Sequence, residues 1–203
     1  MSVHDITVES GSSVRLKTAG KYCDRDIVVT AEGGNAVDYL YLKVTDQPCD
    51  EYRNEEITAL ANNAFQGWKT LKAIHLPNLV TIGQYAFQGC SGIKEFVFPK
   101  AVTVGNSAFA YASGPTKADL GAVTSIGSSA FDYTNKLTAL IIRTNSVCAL
   151  ANANAFNNTL IKSGTGYIYV HASLENSYKS ATNWATYASQ IRAIEDYPEI
   201  TGG

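Results

Sequence analysis

Charge is scarce in this chain. Asp, Glu, Lys and Arg make up 17% of its 203 residues, against about a quarter in ordinary soluble domains. Formal net charge is −2 and there is no basic run, so binding of nucleic acid by phosphate neutralisation has no support. No stretch approaches the roughly 20 apolar residues that cross a bilayer as a helix; membrane insertion is not expected. Cys23, Cys49, Cys90 and Cys148 include no close C-x-x-C pair, which argues against a zinc site and a disulfide framework. All four are expected to be reduced, with Cys90 a small core residue. His4, His75 and His171 lie far apart and form no H-E-x-x-H string. The acidic pairs Asp24 and Asp26, Asp50 and Glu51, Glu55 and Glu56, and Glu195 and Asp196 fall in turns or near ends, where they read as solvated charge. G-x-S-x-G is missing, and no glycine-rich loop precedes a helix. The expectation is therefore no catalytic residue, no metal and no cofactor.

What the chain does have is a returning dipeptide. Ala-Phe stands at Ala64-Phe65, Ala86-Phe87, Ala108-Phe109, Ala130-Phe131 and Ala155-Phe156. The phenylalanines step by 22, 22, 22 and 25 residues, and a fixed period of that size signals stacked repeats. Aligned on the phenylalanine, position −5 holds Leu60, Ile82, Val104 and Ile126, with Gly83, Gly105 and Gly127 after the last three. Position +6 holds Leu71, Ile93, Pro115 and Leu137; +9 holds Ile74, Phe96, Ala118 and Leu140; +11 holds Leu76, Phe98, Leu120 and Ile142. These columns are nearly all apolar. One repeat cannot bury such a face alone, so neighbouring coils must supply the other side.

Positions +9 and +11 lie two apart, which predicts a strand with one buried face. Positions +8 and +10 then point outward: Ala73 and His75, Glu95 and Val97, Lys117 and Asp119, Ala139 and Ile141. Stacking at about 4.8 Å would align them in two columns on one sheet surface. That surface is the candidate ligand-binding face. Tyr85, Tyr111 and Tyr133 lie elsewhere on the coil, and tyrosine offers apolar area and a hydroxyl at low entropic cost. The stretch from Phe to +6 is too short for a long helix and predicts a helical turn.

The string Ile82-Gly83-Gln84-Tyr85-Ala86-Phe87-Gln88-Gly89-Cys90-Ser91-Gly92-Ile93, followed by Phe98-Pro99, resembles the BspA-type leucine-rich repeat. The resemblance covers about residues 57–160. It implies an α/β repeat fold, a right-handed solenoid of short strands and helical turns, mostly on bacterial surface or host-interacting proteins. It also implies a binding scaffold. The first repeat has Trp68 where Cys90 stands. The third departs most, because Pro115 and Ala118 weaken its core columns and Gly121 replaces the proline; its strand is expected to be distorted. The insertion before Ala155 leaves the fifth register open.

Residues 1–34 read as a small β unit. Ile6-Thr7-Val8, Val14-Arg15-Leu16-Lys17 and Asp26-Ile27-Val28-Val29 are β-prone runs separated by Gly11 and Gly20. The string from Val14 to Val29, with Lys21-Tyr22-Cys23-Asp24-Arg25-Asp26-Ile27 at its centre, resembles a module of phage and prophage tail proteins. Residues 35–56 are expected to form a cap strand (Leu40, Leu42 and Val44 inward) and then a polar loop from Asp46 to Glu56. Residues 161–203 are expected to close the stack as a strand-helix cap. Within it, Gly166–Val170 reads as a strand, Ser173 and Thr182 as helix caps, Thr182-Asn183 as a break, and Ile191–Ile194 as a last strand. The first residues lack a secretory-signal layout, so either a signal has been trimmed or export takes another route. Together these features point to a non-enzymatic binding or adhesion module, extracellular and part of a phage or prophage tail protein, with the bacterial cell surface as the other location. The expected partner is a host-surface protein or glycan, with a homo-oligomer possible if the chain belongs to a tail. The alternatives are a secreted BspA-like adhesin and, least favoured, a glycan-active enzyme, which would need a paired carboxylate in a cleft.

Overall fold

The computed structural model describes the backbone of Ser13–Lys17 and Asp26–Thr30 together with residues 50–201. Strands β1 (Ser13–Lys17) and β2 (Asp26–Thr30) pair antiparallel, Ser13 opposite Thr30 and Lys17 opposite Asp26. The predicted strands at Ile6–Val8 and Leu40–Val44 lie outside the described residues.

From residue 50 the chain coils into a solenoid. Its long strands are β3 (Glu51–Arg53), β5 (Ala73–His75), β7 (Glu95–Phe98), β9 (Lys117–Leu120), β11 (Ala139–Ile142), β13 (Tyr167–Val170) and β14 (Ile191–Ala193). Its short strands are β4 (Ala59–Leu60), β6 (Thr81–Ile82), β8 (Thr103–Val104), β10 (Ser125–Ile126) and β12 (Ala149–Leu150). The short strands form one parallel sheet in the order β4-β6-β8-β10-β12. The long ones divide. β3 pairs with β5, and β7-β9-β11-β13-β14 form a second parallel sheet. Among the described residues the long-strand ladder is thus interrupted between β5 and β7.

The third side of the coil is the turn around the phenylalanine, and it carries a ladder of its own. Around Phe65, Phe87 and Phe109 the amides two before, at, and two after the phenylalanine donate to backbone carbonyls of the next coil, as in Tyr85 N to Asn106 O (3.1 Å), Phe87 N to Ala108 O (2.7 Å) and Gly89 N to Ala110 O (2.9 Å). The −2 residues Asn63, Tyr85, Ser107 and Ser129 and the +2 residues Gly67, Gly89, Tyr111, Tyr133 and Asn158 all have positive φ. This left-handed backbone recurs at the amides that bridge to the following coil. Side chains at −3 reinforce it: Asn62 Oδ1 accepts from Gln84 N and Asn106 Oδ1 from Ser128 N, both at 2.9 Å.

Inside, the phenylalanines stack. Successive ring centroids from Phe65 to Phe156 lie 5.4, 5.5, 4.8 and 5.4 Å apart with near-parallel planes, an arrangement in which each ring packs on the next. The glycine that follows Ile82, Val104 and Ile126 is a close-approach position. A Cβ on Gly105 would lie 2.6 Å from Gln84 N, and one on Gly127 2.6 Å from Asn106 N.

Three expectations change. Glu51–Arg53 is a strand and not part of a loop. Only Tyr52 of its three residues packs on the core, 5.2 Å from Phe65 and 6.4 Å from Trp68, so polar neighbours hid it. The third repeat is regular: β9 pairs over four residues with β11 and with β7. Small Ala118 is offset by Phe96 opposite it in register, whose ring lies 4.6 Å from Phe109. Gly121 stands where proline recurs because a Cβ there would meet Pro99 O at 1.6 Å. The register Ile126↔Leu150 also locates the 25-residue step. Two extra residues lie between β11 and β12, and one between Leu150 and Phe156.

The C-terminal segment closes the open end. α1 (Leu160–Ser163) has Thr159 as its N-cap, whose Oγ1 accepts from Lys162 N. After β13, a 3-10 turn at Ala172–Leu174 leads into α2 (Glu175–Ser180), and Trp184–Gln190 forms a second helical stretch. The break falls at Ala181 to Asn183, as the sequence suggests, but neither Ser173 nor Thr182 is a cap. Asn183 stands at that position with φ 65, and its Nδ2 donates to Leu150 O at 2.7 Å. α3 (Pro198–Thr201) ends the described chain.

Candidate functional site

Register places the predicted face in two columns. One runs Glu51–Ala73 and then Glu95–Lys117–Ala139–Tyr167; the other runs Arg53–His75 and then Val97–Asp119–Ile141–Tyr169–Arg192. The alternation of β7 leaves Glu95 and Val97 exposed and buries Phe96 and Phe98, which is the pleat acting on an Glu-Phe-Val-Phe sequence.

Ala139 and Ile141 are a correction. Both point off the outer surface of the sheet but are buried. Tyr169 and Ile194 close over them, with Tyr167, Tyr197 and Ile200 packed alongside. The C-terminal segment returns across this end of the face, so neither residue can meet a ligand. The sequence signal was their own apolarity, which marks an intramolecular contact here. Asp119 is occupied as well: Arg143 grips both its carboxylate oxygens at 2.9 and 2.8 Å. That bidentate contact raises the guanidinium pKa further above its ordinary value.

The remaining predicted residues gather at the N-terminal half. A shallow groove of about 480 Å³ follows the interruption between β5 and β7, with Arg53, Lys72, His75, Lys94, Glu95 and Val97 among its walls. Lys117 Nζ lies 3.1 Å from Glu95, and His75 Nε2 lies 3.1 Å from Glu51. These pairs are partly solvated and hold shape more than stability. Val97, 45% exposed, supplies apolar area among them. Glu51 and Arg53 belong to the face but were missed. Stepping the 22-residue period back from Ala73 and His75 lands on them.

Among the described residues no group of three His, Cys, Asp or Glu side chains gathers as a metal site, and no helix is long and apolar enough to cross a membrane. The face offers charge pairs, the exposed apolar side chain of Val97 and a groove. No curated protein matches the chain. The model of the BspA type leucine-rich repeat region matches residues 53–162 in six copies, just over half of the chain. With its three-sided parallel coil and stacked phenylalanines, the chain belongs to the BspA type leucine-rich repeat family.

Proposed function

We propose that the chain is a non-enzymatic binding module whose strand face docks a protein at a cell or particle surface. The observation that carries this reading is the groove between β5 and β7, where exposed Val97 sits among Arg53, His75, Glu95 and Lys94. An apolar centre ringed by both signs of charge suits a protein patch: the centre supplies contact area and the ring supplies orientation. The family match favours a bacterial-surface adhesin as the setting. A phage or prophage tail is the other setting, supported by the Val14–Val29 string. There the N-terminal unit would attach to the particle, the repeats would face the host, and the ligand could be a host-surface protein or glycan.

The test is binding of the purified chain to intact bacterial cells and to a panel of purified surface proteins and glycans, repeated with His75→Ala, Glu95→Ala and Lys117→Ala combined. Loss of at least tenfold in affinity, about 1.4 kcal/mol, together with a changed salt dependence, is expected. Unchanged affinity removes the strand face from the proposal. Turnover on a glycan panel would overturn the non-enzymatic reading.

A further inference from the structure

Among the described residues three large apolar side chains are exposed: Val97 at 45%, Tyr111 at 53% and Tyr133 at 46%. Val97 belongs to the strand face. The two tyrosines lie on the turn side of the coil, two residues after Phe109 and Phe131. Their rings stack with centroids 4.9 Å apart and planes within 7°.

Their backbone makes the choice of residue unexpected. This position has positive φ in all five coils, and in these two its amide also reaches the next coil: Tyr111 N donates to Asp132 O (2.8 Å) and Tyr133 N to Asn157 O (3.1 Å). The other coils fill it with Gly67, Gly89 and Asn158, residue types that accept the left-handed region readily. Tyr111 at φ 58 and Tyr133 at φ 56 do not. Exposed as they are, the rings do not repay that strain by filling the core. Backbone strain retained at an exposed side chain points to a use outside the fold.

The surroundings narrow the use. Tyr133 covers one face of Tyr111. The coil on the other side presents Gly89, and the one beyond it Gly67. A Cβ on Gly89 would touch only Gly67 backbone, at 3.7 and 3.9 Å, and one on Gly67 would meet nothing within 4 Å. On the side of Tyr111 away from Tyr133, the equivalent positions of the next two coils thus carry no side chain, and this gap, the notch, is floored by backbone. A flat ring laid on an aromatic face sits about 3.5–4 Å from it, less than one coil spacing, so it would rest at the level of Gly89 and continue the ladder. One residue earlier in the chain the two coils of the notch carry Gln66 and Gln88, joined by a side-chain hydrogen bond. Primary amides offer donors and acceptors that suit hydroxyls, and they bring no cation for a phosphate.

We propose that Tyr111 and Tyr133 form a stacking platform for the apolar face of a pyranose sugar, seated in the notch over Gly89 and Gly67. The site lies on a different side of the coil from the strand face and does not depend on the protein-docking reading.

The experiment is saturation-transfer NMR on the full chain with methyl β-D-galactopyranoside and methyl β-D-glucopyranoside, each at concentrations on the order of 1–10 mM, the range expected for one ring. Transfer concentrated on the protons of the sugar's apolar face is expected for at least one of the two. Tyr111→Gly should reduce it at least about fivefold while leaving the thermal midpoint equal to or above that of the unmodified chain, because glycine relieves the backbone. Gly89→Asn, a residue type that the same position already holds at Asn158, fills the level beside Tyr111 without adding an aromatic face and should reduce it equally. Changing Glu95 and Lys117 to Ala should leave it intact, which separates this site from the strand face. No transfer from either sugar, undiminished transfer in Tyr111→Gly and Gly89→Asn, or a markedly lowered midpoint in Tyr111→Gly would each overturn the proposal, the last by making the tyrosine a structural residue.

Discussion

The third residue after each phenylalanine shows how a repeat tolerates changes of residue type. In the second coil it is Cys90, whose Sγ donates to Phe65 O at 3.0 Å; in the fourth it is Thr134, whose Oγ1 donates to Phe109 O at 2.9 Å. Both side chains are small, buried donors to the preceding coil, and that shared role is why cysteine and threonine interchange. Cys90 and Cys148 are fully buried, and burial pushes both thiols up from 9.0 to about 12. The sign follows from the raised folded value: the stabilising contribution is whole below pH 9 and fades as pH rises toward 12. Neither thiol should react with a disulfide reagent at pH 8 in the native protein, and both should react in urea; rapid native labelling of either would contradict the packing. These two residues show how far the sequence could be read. Cys90 could be placed in the core from its column alone. Cys148 could not, because its place depends on the 25-residue step, whose extra residues become assignable only through pairing between coils.

The C-terminal cap works by substitution. β12 ends the short-strand sheet, and among the described residues no further strand follows it there. Side chains take over the missing ladder. Trp184 Nε1 donates to Cys148 O at 2.6 Å, Asn183 Nδ2 to Leu150 O at 2.7 Å and Tyr187 Oη to Ala153 O, while Tyr178 Oη accepts from Cys148 N at 2.9 Å. The same rings end the phenylalanine stack, with Phe156 5.2 Å from Tyr187 and 5.9 Å from Trp184. One set of aromatic residues thus seals the apolar column and the backbone edge together. Trp184→Phe keeps much of the area and removes the donor, leaving a buried carbonyl unpaired. A loss of about 1–3 kcal/mol is expected, read as a lower urea midpoint with an unchanged slope. A slope change would mean that the cap detaches. The sequence indicated that a helical cap exists, from apolar spacing after Leu174, but not how it is held. Ser173 and Thr182 were plausible caps by residue type alone, and only the position of the turn shows that Asn183 fills that place.

At the scale of the molecule, the period gave the architecture and the alternation gave the outward columns. What it could not give was which outward residues stay uncovered, because Ala139 and Ile141 are sealed by a segment some 50 residues later in sequence. The strand at Glu51–Arg53 was likewise hidden by its polar look. A stack of this kind is bound together by contacts between neighbouring coils, so its cohesion is set interface by interface. The interruption between β5 and β7 removes the long-strand pairing from one interface, though the turn side and the short-strand sheet still cross it. Amide hydrogens of β5 should therefore exchange at least about tenfold faster than those of β9, which is paired on both sides; equal protection would show that the interruption has no energetic weight. If it has, the groove is also a place of mechanical compliance. Its width can vary by small tilts of one coil against the next, with the phenylalanine stack as the fulcrum, so the chain could adjust to ligands of unequal girth without unfolding any part of itself.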